Sequence, residues 1–419
     1  MKRPPGTRRH GLRLLATTSL CILFAACASR PTGVLLPSGS TIPGATTVNM
    51  LVATTRARSD SPGIVYSGER GPRVSLTSFA ISIPPDQDRV IGQVQWPSRL
   101  PANPATDFTT LSIQPLSGTD EARRWLGQHL PKSRRVMIFV HGFNNGFEDA
   151  VYRFAQISHD SATDAAPILF TWPSRGSVFS YGFDKESANF SRDAFEEVVW
   201  RVAQDPTVGD VTIMGHSMGA WLVMESLRQM AIRRGHLPSN IHNVILASPD
   251  IDVDVFRTQW LALRQPDAQF TIFVSRSDRA LALSRRFAGS VDRVGQIDIN
   301  SAAYYAAIER SGITVIDLTD LRSGADGLNH SKFAQSPEVV RLIGTRLIAG
   351  QQIDDADASL GERIGIAAMG LGQTVGGAAG AVISAPIVVL DPNTRRTYGE
   401  QVGQVGRAAE GVLETSTGR

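Results

Sequence analysis

Cysteine is nearly absent from this chain: 2 residues among 419, Cys21 and Cys27, both inside the first 27. The remaining residues therefore hold no disulfide framework, no thiol nucleophile and no thiolate metal site. Internal repeats and glycine-rich phosphate-binding loops are missing, and His, Asp and Glu show no metal-ligand spacing. An excess of positive charge is also missing over most of the chain. The formal net charge is +3, but Lys2, Arg3, Arg8, Arg9 and Arg13 stand in the first 26 residues with no acidic residue among them, and removing these five takes +3 down to −2. Nucleic acid is accordingly not an expected partner.

The first 26 residues have the pattern of an export signal. A basic start is followed by an apolar run from Leu14 to Ala26, too short to cross a membrane comfortably. Phe24-Ala25-Ala26-Cys27 resembles a bacterial lipobox, with Phe24 in place of the usual leucine. That resemblance implies lipidation at Cys27 and a membrane anchor. Ala28 after the cysteine, rather than aspartate, points to the outer membrane, facing the periplasm. Thr7 to Arg13 also resembles a twin-arginine signal, with Gly11 where a large apolar residue is preferred. Residues 27–48, rich in Pro, Gly, Ser and Thr, read as a flexible tether. At the other end, residues 351–419 form a Gly/Ala-rich extension. Its stretch from Ile364 to Leu390 has no charged residue, with glycines at 372, 376 and 380. A small-residue helix packed on the domain, a partly ordered extension and a membrane segment are all open readings.

Residues 49–350 remain for one globular unit. Short apolar runs are expected as strands at Met50–Thr54, Phe79–Ile83, Val90–Trp96, Val136–Val140, Ile168–Thr171, Val211–Met214, Val244–Ala247, Phe270–Val274 and Ile313–Asp317. Amphipathic helices are expected at Ala150–Ser158, Arg192–Gln204, Ala220–Ile232 and Pro337–Leu347. Alternation of this kind predicts an α/β fold: a mostly parallel sheet with helices on both faces and its active site at the carboxyl ends of the strands.

The loops at those ends carry the chemistry. Gly215-His216-Ser217-Met218-Gly219 lies between an expected strand and an expected helix. A cramped turn there lifts a serine hydroxyl clear of the sheet, and the Met218 N–H faces the place where an oxyanion forms. His141-Gly142-Phe143-Asn144-Asn145 follows another strand, and Phe143 is the candidate for a second oxyanion N–H, each such donor contributing roughly 3 kcal/mol. Serine needs a base. Of the histidines after Ser217, His236 and His242 precede the next strand, which leaves His330. Asp278, one strand earlier, is the candidate acid, with Asp250, Asp252 and Asp254 as rivals; Asp317 and Asp320 suit turns or caps. His216 is expected to pack beside the elbow, pointing away from Ser217. The loop from Trp172-Pro173-Ser174-Arg175-Gly176 reaches Tyr181 and Asp184, and Tyr181 is a candidate substrate contact.

Together, His141-Gly142-Phe143-Asn144-Asn145, Trp172-Pro173-Ser174, Gly215 to Gly219, Ser248-Pro249-Asp250-Ile251-Asp252 and Asn329-His330-Ser331 resemble the bacterial esterases of the α/β-hydrolase superfamily over residues 49–348. The resemblance implies the α/β-hydrolase fold and a Ser217, Asp278, His330 triad acting on a small-molecule ester without metal or organic cofactor. The stretch between Asp250 and Gln269 is short for a large lid, so small or soluble esters are expected. Acyl transfer to another alcohol would use the same residues. A non-catalytic envelope lipoprotein borrowing the fold for binding is the alternative from another class.

Overall fold

The computed structural model describes residues 33–61, 63–264, 266–321, 327–344, 348 and 366–367. The export segment with Cys27 lies outside them, and so does the C-terminal extension apart from Ile366–Ala367.

In chain order the elements are β1 (Thr46–Arg58), β2 (Tyr66–Ile83), β3 (Thr109–Leu116), α1 (Thr119–His129), β4 (Arg135–Val140), α2 (Phe147–Asp160), β5 (Ala166–Thr171), α3 (Tyr181–Phe190), α4 (Arg192–Ala203), β6 (Asp210–His216), α5 (Met218–Arg234), β7 (Ile241–Ala247), α6 (Val253–Ala262), β8 (Gln269–Val274), α7 (Arg279–Phe287), α8 (Ala302–Ser311), β9 (Thr314–Asp317), α9 (Lys332–Gln335), α10 (Pro337–Leu342) and β10 (Ile366–Ala367). All the strands join one sheet, in the order β10-β9-β8-β7-β6-β4-β5-β1-β2-β3. From β9 across to β1 every pairing is parallel, while β2, β3 and β10 pair antiparallel at the two edges.

The period-two alternation of the central strands builds two cores. In β4, Val136, Ile138 and Val140 face one side with α1, α4 and α5, while Met137 and Phe139 face the other with α2 and α10. Both faces of the sheet are covered, so these strands read as unbroken apolar runs.

Two expectations need correction. Val90–Trp96 forms no strand: Gly92 takes φ +85°, its N–H goes to Asp160 Oδ2 (2.7 Å) and its carbonyl to Arg153 (3.2 Å). Those backbone groups are spent on α2 instead of a ladder. The missing strand is β3, a half-exposed edge containing Pro115 whose weak alternation hid it. The part of the supposed tether from residue 33 onward lies on the domain. Val34 and Leu35 are buried in the second core, Tyr152 Oη donates to the Val34 carbonyl (2.8 Å), and β1 begins at Thr46. Ile366 and Ala367 pair with Ile316 and Val315 of β9; the rest of the stretch from Ile364 to Leu390, with its open readings, lies outside the described residues. Among the described residues no helix is long and apolar enough to cross a membrane.

Candidate active site

Ser217 occupies the single residue between β6 and α5, at φ 54° and ψ −120°. A non-glycine residue in that region costs on the order of 1–3 kcal/mol and persists only where its surroundings impose it. Here they do. The Ser217 N–H donates to the Ala247 carbonyl (2.9 Å) and its own carbonyl accepts from the Asp250 N–H (3.1 Å), so the end of β7 grips the turn. The flanking glycines permit the close approach: a Cβ on Gly215 would stand 2.7 Å from Ala220 Cα, and one on Gly219 2.3 Å from the His141 carbonyl oxygen. Met218 is the first residue of α5, so its N–H adds to the positive end of that helix.

The His141–Asn145 loop lies directly on this turn. A Cβ on Gly142 would come within 2.9 Å of Ser217 Cβ. His141 is buried, and its tautomer follows from its partners: Nδ1 donates to the Gly142 carbonyl (2.8 Å) while Nε2 accepts from the Trp172 N–H (3.2 Å). Burial, with the nearby Arg56 charge, depresses its pKa to about 3, so it stays neutral. Asn144 and Asn145 have their N–H groups directed at Asp184 Oδ2 (3.4 Å) and Ser174 Oγ (3.1 Å). Neither the Phe143 nor the Met218 N–H has an acceptor among the described residues.

His330 and Asp278 meet: Nδ1 is 2.7 Å from Asp278 Oδ2, with the carboxylate fully enclosed and the imidazole partly open. The other carboxylate oxygen accepts the Leu281 N–H (2.9 Å) and caps α7. The histidine loop is tied down by Asn329, at φ 61°, whose amide donates to the Ser277 carbonyl (3.2 Å). Lys332 adds a buried ammonium that donates to the Leu318 carbonyl (2.9 Å), the Thr319 carbonyl (3.0 Å) and Ser277 Oγ (3.0 Å). His216 packs its ring against His330 (4.7 Å) and Phe333 (4.6 Å), and its Nε2 lies 3.3 Å from the His330 carbonyl. The residue before Ser217 thus supports the histidine loop, a role beyond the packing expected of it. Burial, with the neighbouring His330, holds its pKa well below the usual histidine value.

The rival acids are engaged elsewhere. Asp250 accepts from Ser284 Oγ (2.6 Å) and Tyr181 Oη (3.1 Å) and lies 3.4 Å from Arg293 Nε. Asp252 caps α6 through the Asp254 and Val255 N–H groups, and Asp254 lies in the first turn of that helix. Tyr181 packs edge-on against Phe143 (5.3 Å), but its hydroxyl is committed to Asp250 and Ser284. Burial and the Asp250 charge push its pKa up to about 12. With Met218, Trp221, Lys185 and Arg293 it lines a cleft of about 50 Å³. A larger cavity of about 710 Å³ has none of the candidate site residues in its wall.

Two buried charged residues here have roles the sequence did not show, although Asp184 was placed on the loop after Trp172. Asp184 takes Ser174 Oγ (2.5 Å) and the Arg175 N–H (3.1 Å), and burial raises its pKa. Arg56 reaches the same loops from β1, 85 residues before His141. Its place two residues past the expected strand Met50–Thr54 gave no sequence sign of burial. Among the described residues no group of three or more His, Cys, Asp or Glu side chains is arranged to hold a metal.

Residues 118–346 match the model of a family described as alpha/beta hydrolase of unknown function (DUF900). Solved structures resemble the chain more distantly. A protein of Lactobacillus plantarum WCFS1 described as a cell surface hydrolase is 13% identical with a TM-score of 0.34, covering 55% of this chain and 98% of its own. An esterase of Pyrobaculum calidifontis is 11% identical with a TM-score of 0.29, covering 83% and 95%. No curated protein matches the sequence.

Proposed function

Because this chain belongs to the alpha/beta hydrolase family DUF900, we propose that it is a serine carboxylester hydrolase. One observation carries the reading: Ser217 sits at φ 54° on a strand–helix turn whose preceding residue packs on His330, and His330 is paired with Asp278 at 2.7 Å. In the proposed reaction Ser217 Oγ attacks the ester carbonyl while His330 Nε2 takes the hydroxyl proton. Asp278 accepts from Nδ1, fixing the tautomer and stabilising the imidazolium as it forms. The Phe143 and Met218 N–H groups receive the carbonyl oxygen as it becomes an oxyanion. Collapse breaks the bond to the alcohol, which leaves with the proton from Nε2. Water deprotonated by His330 then attacks the acyl-enzyme, and Ser217 recovers its proton as the carboxylic acid departs. In this reading His330, Asp278 and the two N–H groups supply the proton transfers and the charge stabilisation, and no cofactor is invoked.

The short connection through α6, from Val253 to Ala262, supports small or soluble esters as substrates. The sequence around Cys27 supports export and lipid anchoring, with the catalytic domain on the periplasmic side of the outer membrane. Hydrolysis of a short acyl nitrophenyl ester tests the reaction: Ser217→Ala is expected to lose at least 1,000-fold in kcat, and wild-type turnover in that variant would sink the assignment. Incorporation of labelled fatty acid, lost in Cys27→Ala, tests the anchor.

A further inference from the structure

Arg56 is 1% exposed and sits at an irregularity of β1, where the register with β2 shifts on either side of it. A guanidinium offers five N–H donors in one rigid plane. Here Nε donates to Thr171 Oγ1 (2.6 Å), Nη1 to the Ser174 carbonyl (2.8 Å) and the Ser67 carbonyl (3.2 Å), and Nη2 to the Asn145 carbonyl (2.9 Å), with His141 Nε2 at 3.4 Å. One side chain therefore ties together β2, the end of β5, the loop after it and both ends of the His141–Asn145 loop. Burial lowers its pKa to about 10, against the fields of Glu148, Asp184 and Asp149, so it remains cationic at neutral pH.

What those bonds leave over is informative. Within His141–Asn145 the N–H groups of Asn144 and Asn145 and the carbonyl of Asn145 all have partners in the Arg56, Ser174, Asp184 network. The carbonyls of Gly142 and Phe143 accept from Asn145 Nδ2 (3.2 and 2.8 Å). The Phe143 N–H has no acceptor among the described residues, and its neighbour Gly142 lies against Ser217. A surface loop of this length with one glycine would not hold an unsatisfied donor in place by itself. We propose that Arg56 is a positioning residue for the oxyanion site: its guanidinium clamps both ends of the loop so that the Phe143 N–H is held ready for the developing negative charge. Its own positive charge, kept out of water behind the loop, acts in the same direction. Neutral His141 completes the clamp, because only the unprotonated Nε2 accepts from Trp172 and faces Arg56.

This inference rests on the ester hydrolase reading, and the test separates the two. Wild-type chain, Arg56→Lys and Arg56→Met are assayed on a short acyl nitrophenyl ester and titrated with a trifluoromethyl ketone, whose adduct with the serine carries an oxyanion. Loss of the clamp is expected to lower kcat by about 100-fold with KM within about threefold, and to weaken the ketone in proportion to kcat/KM. Lysine is not expected to rescue, since it lacks the planar fork. A purely structural arginine would lower the thermal midpoint of the folded variants and leave kcat within about threefold of wild type, which overturns the proposal. If neither variant folds, Ser174→Ala, which frees the Asn145 N–H, shows the same split on a smaller scale; an unchanged kcat there also overturns it. Absence of wild-type hydrolysis sinks both readings, whereas wild-type hydrolysis with indifferent variants sinks this one alone.

Discussion

Asp278 Oδ2 accepts a hydrogen bond from His330 Nδ1–H at 2.7 Å, while the rival Asp250 is bound to Tyr181 and Ser284 and faces Arg293. The two carboxylates therefore have separable roles. Asp278→Asn is expected to lower kcat by roughly 1,000- to 10,000-fold, because the amide favours the wrong imidazole tautomer. Asp250→Asn is expected to lower stability by about 3 kcal/mol, since it leaves Arg293 buried without its counter-charge, with kcat/KM changed less than about tenfold. Steady-state kinetics and thermal melts of both variants check this, and the reverse ranking in kcat would make Asp250 the acid.

Gly219 tests the elbow. A methyl group there meets the His141 carbonyl oxygen at 2.3 Å and the Val140 carbonyl oxygen at 2.6 Å, both backbone atoms that cannot swing aside. Gly219→Ala is expected to cost about 2–3 kcal/mol and to lower kcat even where the protein is folded. Normal stability and rate would mean that the turn is looser than described.

Residues 33–45 give a third prediction. Removing everything before Thr46 strips Val34 and Leu35 from the core and leaves Tyr152 Oη without its carbonyl. Each side chain contributes about 1.5–3 kcal/mol through burial, so this truncation is expected to melt well below one beginning at Gly33. Equal melting temperatures would restore these residues to the tether.

Acid sensitivity follows from the neutral histidines. His141 has its pKa depressed to about 3 from an ordinary 6.5, and His216 is depressed in the same direction. Between those values the unfolded chain binds more protons than the folded one, so stability is full above pH 6.5 and falls with acidification toward pH 3. For His141 the slope approaches about 1.4 kcal/mol per pH unit. Thermal midpoints measured from pH 7.5 to 4.5 are expected to drop, and His141→Gln is expected to be less stable at pH 7.5 but flatter in its decline. An unchanged slope in that variant would show that His141 is not the group titrating.

The parallel half of the sheet was legible in the sequence because its strands are buried on both faces. Val136–Val140 is an unbroken apolar run and Val211–Met214 is interrupted only by Thr212, and both lead into glycine-bearing loops. The antiparallel half was legible only in part: Phe79–Ile83 is the end of β2, but the rest of β2 is largely polar on one side and β3 is half exposed. Ser217, Asp278 and His330 could be named because each follows a readable strand and their order is constrained. Arg56 could not, and Asp184 was named only as a point on a loop, since a buried charge is recognised by what encloses it, and Arg56 gathers partners from as far along the chain as Ser174. Val34 and Leu35 were hidden in the same way, by a composition that suits a tether.

The central claim is that Ser217 is an activated nucleophile. The most direct measurement is labelling of the folded protein by a fluorophosphonate, with peptide mapping and His330→Ala as control. The account predicts one labelled serine, Ser217, with labelling lost in the control. A folded wild-type protein that takes no label, or labels elsewhere, would contradict it.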